Sequence, residues 1–309
     1  PDPLWSRGLG DVYKRQVKKR RTKRAVPASR LAMEALERIH RSESNWEDVC
    51  GVLEQRYRAL EDQAEKVAIL LEIADTWADK AEMPDRGSSA LSRVIDIDPV
   101  HDSAFERLDA LHRESARWEE LVDLYITRAE SIEEDSERVS LLREGSRIYE
   151  EDLQNLDNAF DALTFAWSQD FADMDTARSL ERVAGLTNQW SELLTVANEA
   201  LKEAQEEGDE PRQIAICLNA ARWFGQELGH AEYAGPYYDQ ILSLDPGNVA
   251  ALLQRADLYR DTQQWDQMAE SLNQLLSVTQ EASVLANANV QLGELSERHF
   301  GDPERAIQY

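Results

Sequence analysis

The chain has 309 residues, with Lys+Arg 34 against Asp+Glu 60 and a formal net charge of −26 at pH 7. So acidic a chain repels phosphate backbones and argues against nucleic-acid binding, while a hydrophobic fraction of 42% argues against global disorder. Gly (13) and Pro (9) are scarce beside Leu, Ala, Glu, Arg and Gln, a balance that favours helix, and no apolar run approaches the ~18 residues of a helical membrane span.

Near the front of the chain stands "SRGLGDVYKRQ", Ser6–Gln16, which has neither helical nor strand period. The string resembles a translated sequencing adapter, so residues 1–16 are expected to be a non-native leader on a bacterial, metagenome-type fragment that is open at both ends. Residues 17–30 follow as a basic linker, with six of the seven residues Lys18–Arg24 basic. This tract is read as a solvated linker, the alternatives being a nucleic-acid arm or a segment flanking a membrane span upstream. Residues 1–16 carry +1 and residues 17–30 carry +7 of the chain's −26, which leaves −34 on the remainder.

From residue 31 onward the pattern repeats. Trp46, Trp118, Trp190 and Trp265 recur at spacings of 72, 72 and 75 residues. Each is followed by apolar residues at i, i+3, i+4, i+7, the stripe of one buried helix face. A second ruler runs between them: a small residue three before an aromatic one, as Ala74/Trp77, Ser146/Tyr149 and Ala220/Trp223, with Gly293/Ser296 as a degenerate fourth copy. Ten or eleven residues on come Gly87, Ala159, Ala234 and Ala306. The unit is therefore a pair of ~36-residue helix–turn–helix repeats, in which a small residue lets two helices approach closely. The four tryptophans are expected to be equivalent and largely buried. Pro236 falls inside an expected helix and is expected to delay its start or kink it. Cys50 and Cys217 lie far apart in apolar helical stretches and read as buried free thiols.

These registers resemble the tetratricopeptide repeat. The segment "DPGNVAALLQRADLYRDTQQWDQMAESLNQLLSV" carries Ala256, Tyr259 and Trp265 where that family has a small residue, Tyr or His, and an aromatic. His112 stands where Tyr is usual, as does His40. The resemblance covers residues 31–309, about seven repeats and a truncated eighth, with helix pairs over about 31–61, 64–97, 101–132, 135–170, 173–206, 211–244, 248–278 and, in part, 281–309. It implies an all-α fold, a right-handed α-solenoid of about sixteen antiparallel helices.

The resemblance also implies a binding face, formed by the first helix of each pair. On this sequence that face carries Arg38, Arg41, Arg113, Arg143, Arg147, Arg178, Arg182 and Arg260, with Asp75 and Asp257 among them and Ile214, Cys217 and Ala221 in one apolar repeat. Arginine there could offer forks to an extended acidic peptide, or pair with Glu one turn away. In the first case Arg143, Arg147, Arg178 and Arg182 would form a local positive pocket. The Lys/Asn pattern of the family's chaperone-tail clamps is not reproduced.

No C-x-x-C, H-E-x-x-H, G-x-x-x-x-G-K-[ST] or G-x-S-x-G motif occurs. His40 and His112 share one repeat position and read as helix-interface residues; His101, His230 and His299 fall near helix ends or loops. The expectation is a non-catalytic scaffold without cofactor or metal, holding a protein or extended peptide, with cytoplasmic location slightly favoured over periplasmic. Two alternatives stay open: the regulatory region of a larger enzyme such as a kinase, and a membrane-tethered assembly factor held through an upstream segment.

Overall fold

A computed structural model describes residues 30–309; the adapter-like leader and the tract Lys18–Arg24 lie outside the described residues. Among the described residues there are sixteen α-helices and no strand. They fall into two compact units that divide between Asp98 and Pro99. The first holds α1 (Arg30–Ser42), α2 (Trp46–Ala59), α3 (Gln63–Asp75) and α4 (Pro84–Ile97). The second begins with α5 (Asp102–Glu114), α6 (Trp118–Ser131), α7 (Asp135–Glu151), α8 (Leu156–Gln169), α9 (Met174–Thr187) and α10 (Trp190–Glu207). It continues through α11 (Glu210–Arg222), α12 (Ala231–Leu244), α13 (Val249–Asp261), α14 (Trp265–Val278), α15 (Ala282–Arg298) and the short α16 (Pro303–Ala306).

The tryptophan ruler marks a turn. Each of the four tryptophans is the first residue of a helix, and two residues before each sits a left-handed residue: Ser44, Ala116, Asn188 and Gln263, with φ between 52° and 59°. One position later the backbone N–H closes a six-to-one bond to the carbonyl of His40, His112, Ala184 or Tyr259. These are Schellman closures, which satisfy carbonyls that a helix end leaves open. The tryptophans are only half-buried, which corrects the expectation of largely buried rings. A side chain at the first position of a helix lies over the preceding turn, at the end of the helix pair rather than between its two axes.

The second ruler marks the helix crossing. Ala74, Ser146 and Ala220 are buried. A Cβ added at Gly87 would lie 3.1 Å from the Ala74 carbonyl oxygen. At the equivalent places the Ser146 hydroxyl donates to the Ala159 carbonyl at 3.2 Å, and a Cβ on Gly293 would sit 3.4 Å from the Ala306 carbonyl. The turn that follows repeats as well. Met83, Asn155 and Asp302 donate their N–H to the carbonyls of Trp77, Tyr149 and Ser296, while His230 donates to Phe224, one residue beyond Trp223. In the two copies with tryptophan the helix widens into a π turn, Thr76–Lys80 and Trp223–Glu227. α12 starts at Ala231 and continues through Pro236, so the proline does not delay it.

The core of the second unit centres on Trp167 and Trp223, both fully buried, with ring centroids 5.1 Å apart. Phe171 meets Trp167 edge-on at 4.6 Å. Cys50 and Cys217 are buried free thiols, and burial pushes the Cys50 thiol up to about 11 and Cys217 to about 12.

His112, on α5, is buried, and its Nδ1 has no hydrogen-bond partner. Burial lowers its pKa; Glu120 and Asp109 act the other way and Arg117 reinforces it. Folding therefore favours the neutral ring, so the unfolded chain takes up the proton first, near pH 6.5. The stability that this neutral ring provides is complete above that pH and falls as pH drops toward the lowered folded value. His112→Tyr, which installs the residue found at the equivalent Tyr259, is expected to remove a slope of up to about 1.4 kcal/mol per pH unit. Denaturant unfolding of both proteins at pH 5.5 and 7.5 checks this; equal pH slopes would refute it.

Candidate binding cleft

Three successive first helices, α5, α7 and α9, wall an open cleft of about 750 Å³ in the second unit. α5 contributes Phe105 and Arg113, α7 contributes residues from Ser140 to Glu151, and α9 contributes Ser179 and Arg182, with Tyr125 and Leu163 from the second helices. Local signals place these helices. His101 caps α5 by accepting from Ala104 N–H at 3.3 Å, and Asp173 caps α9 by accepting from the N–H groups of Asp175 and Thr176.

Four of the eight predicted arginines meet here: Arg113, Arg143, Arg147 and Arg182. Arg178 is exposed and outside the lining, Arg260 lies on α13 paired to Asp257 at 2.7 Å, and Arg38 and Arg41 belong to the first unit. Of the four arginines expected to form a positive pocket, Arg143, Arg147 and Arg182 each have carboxylates alongside, and Arg178 is not among the lining residues. Arg113 donates to Glu144 at 2.8 Å, to the Tyr125 hydroxyl at 2.6 Å and to Asp109. Arg147 donates to Glu144 at 2.6 Å and to Glu151 at 2.8 Å. Arg182 forks onto both oxygens of Glu150. Arg143 approaches Asp173 and Asp175 at 3.5 and 3.6 Å. The Tyr125 hydroxyl in turn donates to Asp109.

The result is a lattice of alternating charge. Hydrogen bonds from Arg147 and Arg113 hold the Glu144 carboxyl down at about 2. Within α7 the partners are three and four residues apart, the neighbours on one helix face. Between first helices the pairs Arg113–Glu144 and Glu150–Arg182 span 31 and 32 residues, close to one repeat. Arg41–Glu72 repeats the 31-residue span in the first unit. Glu144, Glu150 and Glu151 were not singled out as site residues in the sequence. The offset of each from an arginine by three or four residues, or by one repeat, is the signal that finds them. In the apolar repeat, Cys217 and Ala221 are fully buried and offer no open face.

The five histidines occupy separate settings. His40 Nδ1 lies 3.7 Å from Asp48, His230 Nδ1 3.1 Å from Glu232, and His299 stacks on Trp265 at 3.8 Å. Among the described residues no group of three His, Cys, Asp or Glu is placed to hold a metal ion, and no helix is long and apolar enough to cross a membrane.

No family model and no curated protein matches the chain. Solved structures do. A tetratricopeptide repeat protein from Parabacteroides merdae is 12% identical, with a TM-score of 0.33 over 87% of this chain and 100% of that one. The Naa15/Naa10 complex bound to HypK-THB is 15% identical, with a TM-score of 0.41 over 89% of this chain and 46% of that one. YrrB, a tetratricopeptide repeat protein with an unusual peptide-binding site, is 14% identical, with a TM-score of 0.29 over 64% of this chain and 95% of that one. At such scores the chain is similar to these proteins in fold alone, and the helix-pair repeat rests on its own turns and crossings.

Proposed function

We propose that the chain is a non-catalytic protein-interaction scaffold that holds a peptide segment of a partner in the α5–α7–α9 cleft. The observation that carries this reading is the cleft itself, about 750 Å³ and walled chiefly by charged and hydroxyl side chains from three repeated helices. A small apolar ligand would leave those charges desolvated and unmatched. A peptide brings backbone amides and polar side chains that can match them, and the ion pairs already fix the wall side chains before it arrives, which reduces the ordering cost of binding.

Filling the cleft tests this without altering its charge. Ser140 is exposed and Ser179 half-buried, and both line the cleft. Peptides selected from a random display library against the full chain are expected to lose at least about tenfold in affinity for Ser140→Trp or Ser179→Trp, a loss of about 1.4 kcal/mol. Peptides that bind both variants as tightly as the parent would place binding elsewhere.

A further inference from the structure

The four cleft arginines differ in how many of their donors are already engaged, and that difference points to a ligand. Arg113 uses Nε on Asp109 and one terminal nitrogen on Glu144 and Tyr125. Arg147 commits Nε and both terminal nitrogens to Glu144 and Glu151, and Arg182 commits both terminal nitrogens to Glu150. Arg143 is held more loosely. Its carboxylate approaches, 3.5 and 3.6 Å, are beyond the 2.7–2.9 Å of a charged hydrogen bond. The nearer partner, Asp173, already caps α9 and accepts from the Thr176 hydroxyl at 2.5 Å. Arg143 therefore lines the cleft with both terminal nitrogens in long ion pairs that a ligand carboxylate at hydrogen-bond distance would displace, and exposed Ser140 stands one turn before it on the same helix.

The opposite end of the α7 wall has the complementary character. Glu151 meets Arg147 through Oε2, and its side chain is 56% exposed. Its other oxygen can take a cation. Between these ends Glu144 and Arg147 satisfy each other, and Leu141 and Leu163 add apolar surface. Arg143 and Glu151 are eight residues apart on one helix, about 12 Å at 1.5 Å per residue. An extended strand covers that distance in three to four residues at about 3.3 Å each.

We infer that the occupant of this cleft is an extended peptide carrying one carboxylate and, three or four residues away, one Lys or Arg, with the carboxylate on Arg143 and the cation on Glu151. The inference rests on the scaffold reading above and adds to it a charge pattern and a spacing. It departs from a purely acidic ligand, because Glu144, Glu150 and Glu151 would repel a second and third carboxylate.

The test uses the full chain and labelled twelve-residue peptides read by fluorescence anisotropy. The set holds one Asp and one Lys at separations of two to seven residues in both chain directions, with Asn and Gln replacements as controls. Separations of three and four are expected to bind tightest. Arg143→Gln is expected to weaken those peptides about tenfold, and Glu151→Gln several-fold. Arg143→Glu is expected to transfer preference to a peptide with Lys in place of the Asp. Thermal unfolding by circular dichroism confirms that each variant is folded. Display-selected peptides blocked by Ser140→Trp but indifferent to Arg143→Gln, to Glu151→Gln and to spacing would overturn this inference and leave the scaffold reading standing. Peptides indifferent to Ser140→Trp as well would remove both.

Discussion

Replacing Glu181 by Ala is expected to destabilise the second unit by about 3–5 kcal/mol, the range for breaking a buried ion pair from one side. One carboxylate oxygen carries the whole interaction. Glu181 Oε1 accepts from Arg222 Nε at 2.6 Å and from the Trp223 indole N–H at 2.7 Å. The side chains of Arg222 and Glu181 are only 12% and 14% exposed, and Trp223 is fully buried against Trp167. Removing Glu181 leaves the Arg222 guanidinium without its counter-charge, held only by Asn219 Oδ1 at 3.0 Å and a contact to Met174 Sδ, and leaves the buried indole donor without an acceptor. The pair joins α9 to α11 across 41 residues, so the loss also loosens one first helix from the next. The double variant Glu181→Leu/Arg222→Met, which removes both charges at similar volume, should recover most of the stability. Urea unfolding followed by tryptophan fluorescence reads both effects. A single variant within about 1 kcal/mol of the parent would show that the pair is solvated in solution.

That node was the least legible part of the chain. Trp223 was visible as the aromatic of a repeated small-x-x-aromatic register. Its acceptor on the preceding first helix was not, because Glu is common throughout this chain and the nearby arginines, Arg178 and Arg182, are not the partners of Glu181. Trp167 and Phe171 likewise lie off both rulers, and they form the aromatic core through tertiary packing rather than period. The repeat itself was legible because its physics is local. A left-handed residue must sit two before Trp46, Trp118, Trp190 and Trp265 for the six-to-one turn bond to close. The small residues must recur where two axes cross.

The cleft was legible in half. Arg113, Arg143, Arg147 and Arg182 follow from position in the repeat, and they do meet. Their charge does not follow from position. It depends on carboxylates one turn or one repeat away, and a list of arginines omits them. A chain with −34 beyond residue 30 neutralises its inward arginines first, so an acidic body argues against a positive groove rather than for one.

Gly87→Leu is expected to cost the first unit about 3 kcal/mol or more, at or above the top of the usual overpacking range. The obstacle is backbone, which cannot rotate away. A Cβ there would lie 3.1 Å from the Ala74 carbonyl oxygen and 3.3 Å from Ala78 Cβ, before any further atoms are added. α3 and α4 would have to separate, although each carries fully buried side chains, Leu70 on the first and Leu91 and Val94 on the second. Ala74→Leu enlarges the same crossing from the opposite helix and is expected to cost about 1–3 kcal/mol. Ser146→Leu should cost a similar amount in the second unit and also removes the hydroxyl bond to Ala159. Gly51 supplies the contrast within the same unit. It lies in the interior of α2, is exposed, and a Cβ there would meet nothing within 4 Å. Gly51→Ala restricts only the unfolded chain and should stabilise by about 0.5–1 kcal/mol. Thermal melts of Gly87→Leu, Ala74→Leu and Gly51→Ala should therefore move in opposite directions, the first two down and the third up. If Gly87→Leu melts with the parent, the crossing is looser than 3.1 Å implies, and the small-residue ruler marks composition rather than contact.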